Sequence, residues 1–211
     1  MFTRTLARRA ALAGATVTAA LVLAACGGDH STADADHDMP GAGGTGTPTA
    51  GASASFDDAD VMFAQMMIPH HQQAVEMAEL AETRAADPEV KKLAGQIKGA
   101  QAPEIAAMTG WLTAWGRPVP SASAGHGMPG MDHGMPGMMS DADMTKLAAA
   151  SGTDFDRQFL TMMIAHHEGA ITMAKDELAQ GANPEAKALA QQIVTAQQGE
   201  IDTMKKLLDR L

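Results

Sequence analysis

The chain carries one pattern twice. Shifting the sequence by 96 residues lays His166-His167 over His70-His71, Asn183-Pro184-Glu185 over Asp87-Pro88-Glu89, and Glu200-Ile201 over Glu104-Ile105. Met162-Met163-Ile164 falls on Met66-Met67-Ile68 and Met173-Ala174 on Met77-Ala78, with no gap from Asp60 to Leu112. Nearly half of the paired positions are identical, far beyond chance. A duplicated unit of this length has to fold the same way in both copies.

Each copy reads as a helical hairpin. Apolar residues recur at helical spacing through Asp57–Arg84 and Pro88–Trp115, and again through Asp154–Gln180 and Pro184–Leu211. Asp87-Pro88 and Asn183-Pro184 each supply an N-cap followed by proline at the first helical position. Gly181 suits the end of the helix before it. The absence of Tyr, the scarcity of other aromatics and the abundance of Ala, Leu, Met, Gln and Glu favour helices over sheets. Short connections make the helices of a hairpin antiparallel neighbours, so the expected fold is all-α, a four-helix bundle built from a duplicated hairpin. The copies span 56–115 and 152–211 of a single domain, 56–211, with a low-complexity loop at 116–140. The link between the hairpins is about 38 residues, with a short helix predicted at Asp141–Ala149. That length fits a ferritin-like bundle with one long central crossover; plain up-and-down topology is the alternative.

At the N-terminus, Arg4, Arg8 and Arg9 precede the apolar stretch Ala10–Ala25. This stretch is shorter and richer in Ala than the roughly 20 strongly apolar residues of a membrane span. It ends in Leu23-Ala24-Ala25-Cys26, which resembles the bacterial lipobox. Residues 1–25 are therefore expected to be a lipoprotein signal peptide and Cys26 the lipidated first residue of an exported chain. That chain would be anchored to the outer face of the cytoplasmic membrane. Arg8-Arg9 keeps twin-arginine export as an alternative to the general route. Residues 26–55 carry the lipidated Cys and then Gly, Ala, Thr, Ser and Asp without apolar period, the composition of a disordered tether. The formal charge is −10, and losing residues 1–25 removes three arginines and no acid. So acidic a chain lacks the basic footprint of a nucleic-acid binder. Once its single Cys is acylated, no thiol remains for a disulfide, a thiolate metal site or a nucleophile.

Two residue types break the apolar stripes. At about 100° per residue, Phe63, Met66, His70 and Met77 share one helical face, as do Phe159, Met162, His166 and Met173. In the partner helices the stripes are Leu93, Ile97, Ala100, Glu104, Met108 and Trp111, and Leu189, Ile193, Ala196, Glu200, Met204 and Leu207. Each core-facing stripe thus holds one ionisable residue, and buried charges need partners. The economical arrangement brings His and Glu together, directly or through a metal. His71 and His167 point about 100° away, flanking the same site or reaching solvent. Met66/His70 and Met67/His71 are i,i+4 pairs, repeated by Met162/His166 and Met163/His167, close enough for thioether and imidazole to share an ion. Methionines at this spacing also fill cores, and a His–Glu pair can be a plain buried hydrogen bond. Pro69, beside His70, and Pro103, beside Glu104, are expected to disturb their helices.

The central loop has no packing rationale. It reads His126-Gly-Met128-Pro-Gly-Met131-Asp and then His133-Gly-Met135-Pro-Gly-Met138-Met139, a seven-residue unit repeated once. Thioether and imidazole on a Gly/Pro chain suit soft and borderline ions, Cu(I) above all. The tether echoes this with His30, His37, Asp38 and Met39.

The segment Phe63-Ala-Gln-Met-Met-Ile-Pro-His-His-Gln-Gln-Ala-Val-Glu-Met-Ala78 resembles the signature of the domain-of-unknown-function 305 family. Met162-Met-Ile-Ala-His-His-Glu-Gly-Ala-Ile-Thr-Met-Ala174 is its second copy, departing at Ala165 and Gly169. The spacing Gln101…Glu104-Ile105…Met108…Trp111-Leu112 is also similar. The resemblance implies a secreted or lipid-anchored ferritin-like bundle, with copper binding and copper resistance among some members, and it carries over no catalytic residue. Three residues before His70 and His166 stand Met67 and Met163, not the Glu of the ferritin-type Glu-x-x-His motif, which argues against di-iron oxidase chemistry.

The sequence therefore points first to a lipid-anchored copper-binding protein that buffers or sequesters Cu(I), with Ag or Zn as further ions. Its defined site would draw on His70, His71, His166 and His167 with Met66, Met67, Met77, Met162, Met163, Met173, Glu104 and Glu200. The loop residues His126, Met128, Met131, His133, Met135 and Met138 would collect ions more weakly. The alternatives are a metal-dependent oxidase of ferritin-like type and a metal-free structural or interaction module. A homodimer and a metal-transfer partner are both compatible with these features.

Overall fold

A computed structural model of the chain describes residues 55–121 and 135–211. Among these residues five helices follow one another: α1 (Asp58–Arg84), α2 (Pro88–Ala114), α3 (Asp141–Ala149), α4 (Gly152–Gln180) and α5 (Pro184–Arg210). Four of the five starts are capped by the side chain before them, whereas Ser151 makes no side-chain cap on α4. Asp57 and Asp60 form a reciprocal capping box on α1, as Ser140 and Asp143 do on α3. Asp87 and Asn183 accept hydrogen bonds from the first free N–H groups of α2 and α5, ahead of the expected prolines. Helices α1 and α2 run unbroken through Pro69 and Pro103. Helix α4 opens two residues earlier than Asp154, because Gly152 takes a φ of +67° and turns the chain into the helix there.

Two buried aspartates settle the topology. Asp60, in the first turn of α1, accepts from the N–H groups of Ala182 and Asn183 just beyond α4. Asp156, its counterpart in α4, accepts from Ala86 and Asp87 just beyond α1. Each hairpin turn is therefore tied to the start of the other hairpin, and α1 runs antiparallel to α4. The order is up, down, down, up, with one crossover the length of the bundle: the ferritin-like arrangement, not plain up-and-down. Helices α1 and α4 meet along the bundle, whereas α2 and α5 barely touch. No helix among the described residues is long and apolar enough to cross a membrane.

The core forms two clusters. One gathers Ala74, Met77, Leu93, Ile97, Phe155, Phe159, Met163 and Met204, with Leu147 of α3. The other gathers Phe63, Met67, Ile68, Met108, Leu112, Met173, Leu189 and Ile193. Burial of each such large side chain stabilises the fold by about 1.5–3 kcal/mol. The stripes on α2 and α5 share one difference from expectation: Ala100 and Ala196 are exposed, and Gln101 and Gln197 are buried instead. The buried row advances by four from Leu93 through Ile97 to Gln101, so it slants around the helix and leaves Ala100 outside. On α2, Trp111 is only half-buried, and Leu112 takes the core position.

Candidate metal centre

Between the two clusters the bundle buries four histidines. His70, His71, His166 and His167 are all inaccessible to solvent. The rings of His70 and His166, from facing helices α1 and α4, approach to 3.7 Å between centroids at 40°. The glutamates meet the other member of each pair: His71 Nε2 lies 2.7 Å from Glu104 Oε2, and His167 Nε2 lies 2.7 Å from Glu200 Oε2. The stripe pattern pairs the glutamates with His70 and His166, and expects the next histidine to flank the site or reach solvent. In the structure the adjacent histidine turns toward α2 or α5, because α1 and α4 press their His70 and His166 faces on each other. Both glutamates sit at the bundle surface, with side chains 19% and 21% exposed. They face the buried rings from outside.

The hydrogen bonds assign the ring protons. The Pro136 carbonyl can only accept, so His70 Nε2–H donates to it at 3.0 Å. His71 and His167 likewise donate Nε2–H to a glutamate carboxylate. Among the described residues this leaves the Nδ1 of His70, His71 and His167 buried without a hydrogen-bond partner, together with both ring nitrogens of His166. A buried unsatisfied polar atom costs about 1–3 kcal/mol. Burial first, and the neighbouring histidines second, hold His70 down to about 3, with its bond to Pro136 working the other way. Burial and the charges of the other three rings hold His166 well below the usual histidine value. Both are neutral at physiological pH, the state in which imidazole ligates a metal. A histidine that gives one nitrogen to a carboxylate or carbonyl and keeps the other free has the arrangement of a metal ligand with its outer support. Five orphaned nitrogens in one buried layer fit a cation there. Among the described residues, no three His, Cys, Asp or Glu side chains form a single ligating cluster, so thioethers would have to complete any site around these rings.

The methionines divide. Met67 and Met163, four residues before His71 and His167, are fully buried in opposite clusters, and Met77 and Met173 pack into those clusters too. Met66 and Met162 are half-buried. Met66 also lines a surface groove of about 270 Å³ with Met62, Met173, Asp58, Asp176 and Glu177. His126, Met128, Met131 and His133, like Cys26, lie outside the described residues. Met135 and Met138 are described and half-buried, on a segment that lies against His70.

A family model described as Domain of unknown function (DUF305) matches residues 60–208. The chain belongs to the DUF305 family. Its structure resembles that of a putative secreted DUF305 protein from Streptomyces coelicolor, 39% identical, covering 72% of this chain and 93% of that one at a TM-score of 0.65. It also resembles CopM in a Cu(II)-bound form, 39% identical over 72% of this chain and 96% of that one, TM-score 0.61. The Cu(I)-bound form of CopM is 37% identical over 72% and 96% of the two chains, TM-score 0.59. A 54-residue stretch is 44% identical to uncharacterized protein L153 of Acanthamoeba polyphaga mimivirus; it covers 26% of this chain and about a third of that relative, 36%.

Two features of this DUF305 chain escaped the sequence reading. Asp60 and Asp156 are the same acid at equivalent positions of the two copies, 96 residues apart, and that identity is the sequence signal that marks them. The buried Gln101 and Gln197 are duplicates too, hidden because an amide at helical spacing looks like surface.

Proposed function

We propose that this chain binds copper outside the cytoplasm and buffers or sequesters it, chiefly as Cu(I), with Ag(I) as a second cargo. The observation that carries the reading is the buried layer of four histidines, three with Nε2–H donated outward and every Nδ1 without a hydrogen-bond partner among the described residues. Cu(I) takes imidazole and thioether ligands, and His70, His166, Met67 and Met163 stand in or beside this layer. A similar protein of the same family, CopM, is described in Cu(II)-, Cu(I)- and Ag-bound forms, which supports copper or silver as the ion. Export and anchoring through a lipid on Cys26 rest on the N-terminal sequence, and a family relative described as a putative secreted protein agrees.

The decisive experiment is an anaerobic Cu(I) competition titration on the full chain. Beside it run a His70/His71/His166/His167→Ala variant and a deletion of 124–134. Tight binding that survives the deletion and vanishes with the four histidines is the expected result. Binding no tighter than millimolar in the unaltered chain overturns the reading.

A further inference from the structure

The two copies of the hairpin differ at one pair of positions for a reason the structure makes plain. Gln73 of α1 and Gly169 of α4 are equivalent, 96 residues apart. Gln73 is buried, and its amide grips one residue of the central loop at both ends. Its Nε2–H donates to Met139 O at 2.9 Å, and its Oε1 accepts from Met139 N–H at 2.7 Å. Gly169 does the opposite: a Cβ there would collide with the carbonyl of Pro136. Gly137 closes the fit with a φ of +77°, and a Cβ on it would stand 2.5 Å from Ala165 O and 2.9 Å from His166 O. A turn bond from Met138 N–H to Met135 O, 3.1 Å, shapes the segment between the two contacts.

We propose that residues 135–139 are a built part of the histidine site, held by Gln73 as a clasp and Gly169 as a seat. In that position the strap presents the Pro136 carbonyl to His70, and Met135 and Met138 are half-buried on the same segment. One loop can cross only one side of a duplicated bundle, so one copy supplies the grip and the other the clearance. Gln at both positions would put a side chain where Pro136 runs. Gly at both would leave the Met139 N–H and C=O unpaired. The consequence is chemical: the strap's carbonyl fixes the proton of His70 on Nε2 and reserves Nδ1 for a ligand. Among the described residues His166 makes no hydrogen bond of this kind and neither of its ring nitrogens has a partner, so the two halves of the site are not equivalent. The class of ligand is a soft monovalent cation; this identity, though not the docking of the strap, rests on the copper reading above.

Gln73 and Gly169 are positioning residues, and two unlike substitutions test them. Gly169→Ala blocks the seat while favouring the helix, and Gln73→Leu removes the clasp at nearly constant size. The readout in the full chain without metal is the ¹⁵N spectrum of the His70 ring. The unaltered chain should show one protonated Nε2 and one bare Nδ1, and both variants should shift toward a mixture of tautomers. Cu(I) dissociation from both variants should be about tenfold faster, the lower end of the effect of removing such an outer partner. Ring signals unmoved in both variants overturn the proposal whatever the copper result. An unaltered chain that binds no Cu(I) overturns the copper reading instead and leaves the ring spectrum to decide on the strap.

Discussion

The carboxyl of Glu177 occupies the space that a side chain on Gly181 would need. A Cβ built on Gly181 collides with Glu177 Oε1 and Cδ. Gly181 ends α4 with φ −65°, so it is not there for left-handed backbone; its missing Cβ is what matters. The equivalent residues of the first copy are Ala81 and Ala85, both buried. The pairs Ala81/Ala85 and Glu177/Gly181 are thus two solutions to the same corner. Gly181→Ala alone is expected to destabilise the fold by about 1–3 kcal/mol, the usual cost of overpacking. Adding Glu177→Ala should recover most of that loss. Urea denaturation of the two single variants and the double variant gives the coupling directly; additive effects would show that the two residues do not compete for space.

Glu177 also makes stability fall with rising pH. Burial first, and then the carboxyl of Asp60, push it up to about 8, with Asp57 adding to the push and Lys187 opposing it. Asp60 is held low by the backbone N–H groups of Asp57, Asn183 and Ala182 against its own burial, so the proton of the pair stays on Glu177. In the unfolded chain Glu177 ionises near its ordinary value of 4.5. Between 4.5 and about 8 the folded state holds the extra proton, so this group's contribution is full below 4.5 and is lost as pH approaches 8. Glu177→Gln keeps the size and polarity of the side chain and removes the titration. Its Tm should exceed that of the unaltered chain at pH 8 and match it near pH 4; equal Tm values at both pH values would contradict the assignment.

What was legible in advance follows from where each signal resides. The helix ends came through closely because caps and prolines are local: Asp87-Pro88 and Asn183-Pro184 start α2 and α5, and α3 spans Asp141–Ala149 as read. The duplication made the bundle visible. The pairing within the site was not legible, because an angle around one helix says which residues share a face but not which neighbour that face meets. Hence the spacing sets Glu104 against the His70 face, while its hydrogen bond is to His71. The strap was less legible still: Gln73 and Gly169 look like ordinary drift between copies until the path of Pro136–Met139 is known.

Asp156 should matter more for stability than any surface acid. It is fully buried and accepts from Ala86 at 3.1 and 3.2 Å and from Asp87 at 2.9 Å, closing the turn of the opposite hairpin. Hydrogen bonds to a charged group are each worth about 1.5–3 kcal/mol. Asp156→Ala should therefore cost about 3 kcal/mol in chemical denaturation, with fraying of the α1–α2 turn seen as loss of amide protection at Ala86 and Asp87. A cost below about 1 kcal/mol with protection unchanged would assign the tie to packing instead.

Glu104 and Glu200 should act on the ion without touching it. Each accepts from the Nε2–H of a buried histidine at 2.7 Å while its own side chain remains partly in water. Removing such a partner weakens metal affinity about 10- to 100-fold, with little effect on folding for a group that water can replace. Glu104→Ala and Glu200→Ala should each show that loss in a Cu(I) competition titration while the Tm of the metal-free chain barely moves. Unchanged affinity would confine the two pairs to a structural role.

The sharpest contrast between a ligand and a packing residue falls on His166. Among the described residues neither of its buried ring nitrogens has a hydrogen-bond partner, and its ring lies 3.7 Å from that of His70, tilted by 40°, in a layer that depresses the protonation of both rings. Evolution for stability alone would not keep such a residue, since an apolar side chain of similar volume avoids an unsatisfied cost of about 1–3 kcal/mol per atom. His166→Leu should therefore leave the metal-free chain as stable as before or about 1–2 kcal/mol more so. The same change should abolish the rise in Tm on adding Cu(I), since only an ion bound to the native state raises it. Thermal unfolding of both proteins with and without Cu(I) under anaerobic conditions reads the two effects together. Loss of stability in the metal-free variant, with the copper-dependent rise intact, would mean that His166 is present for packing and that the ion is held elsewhere.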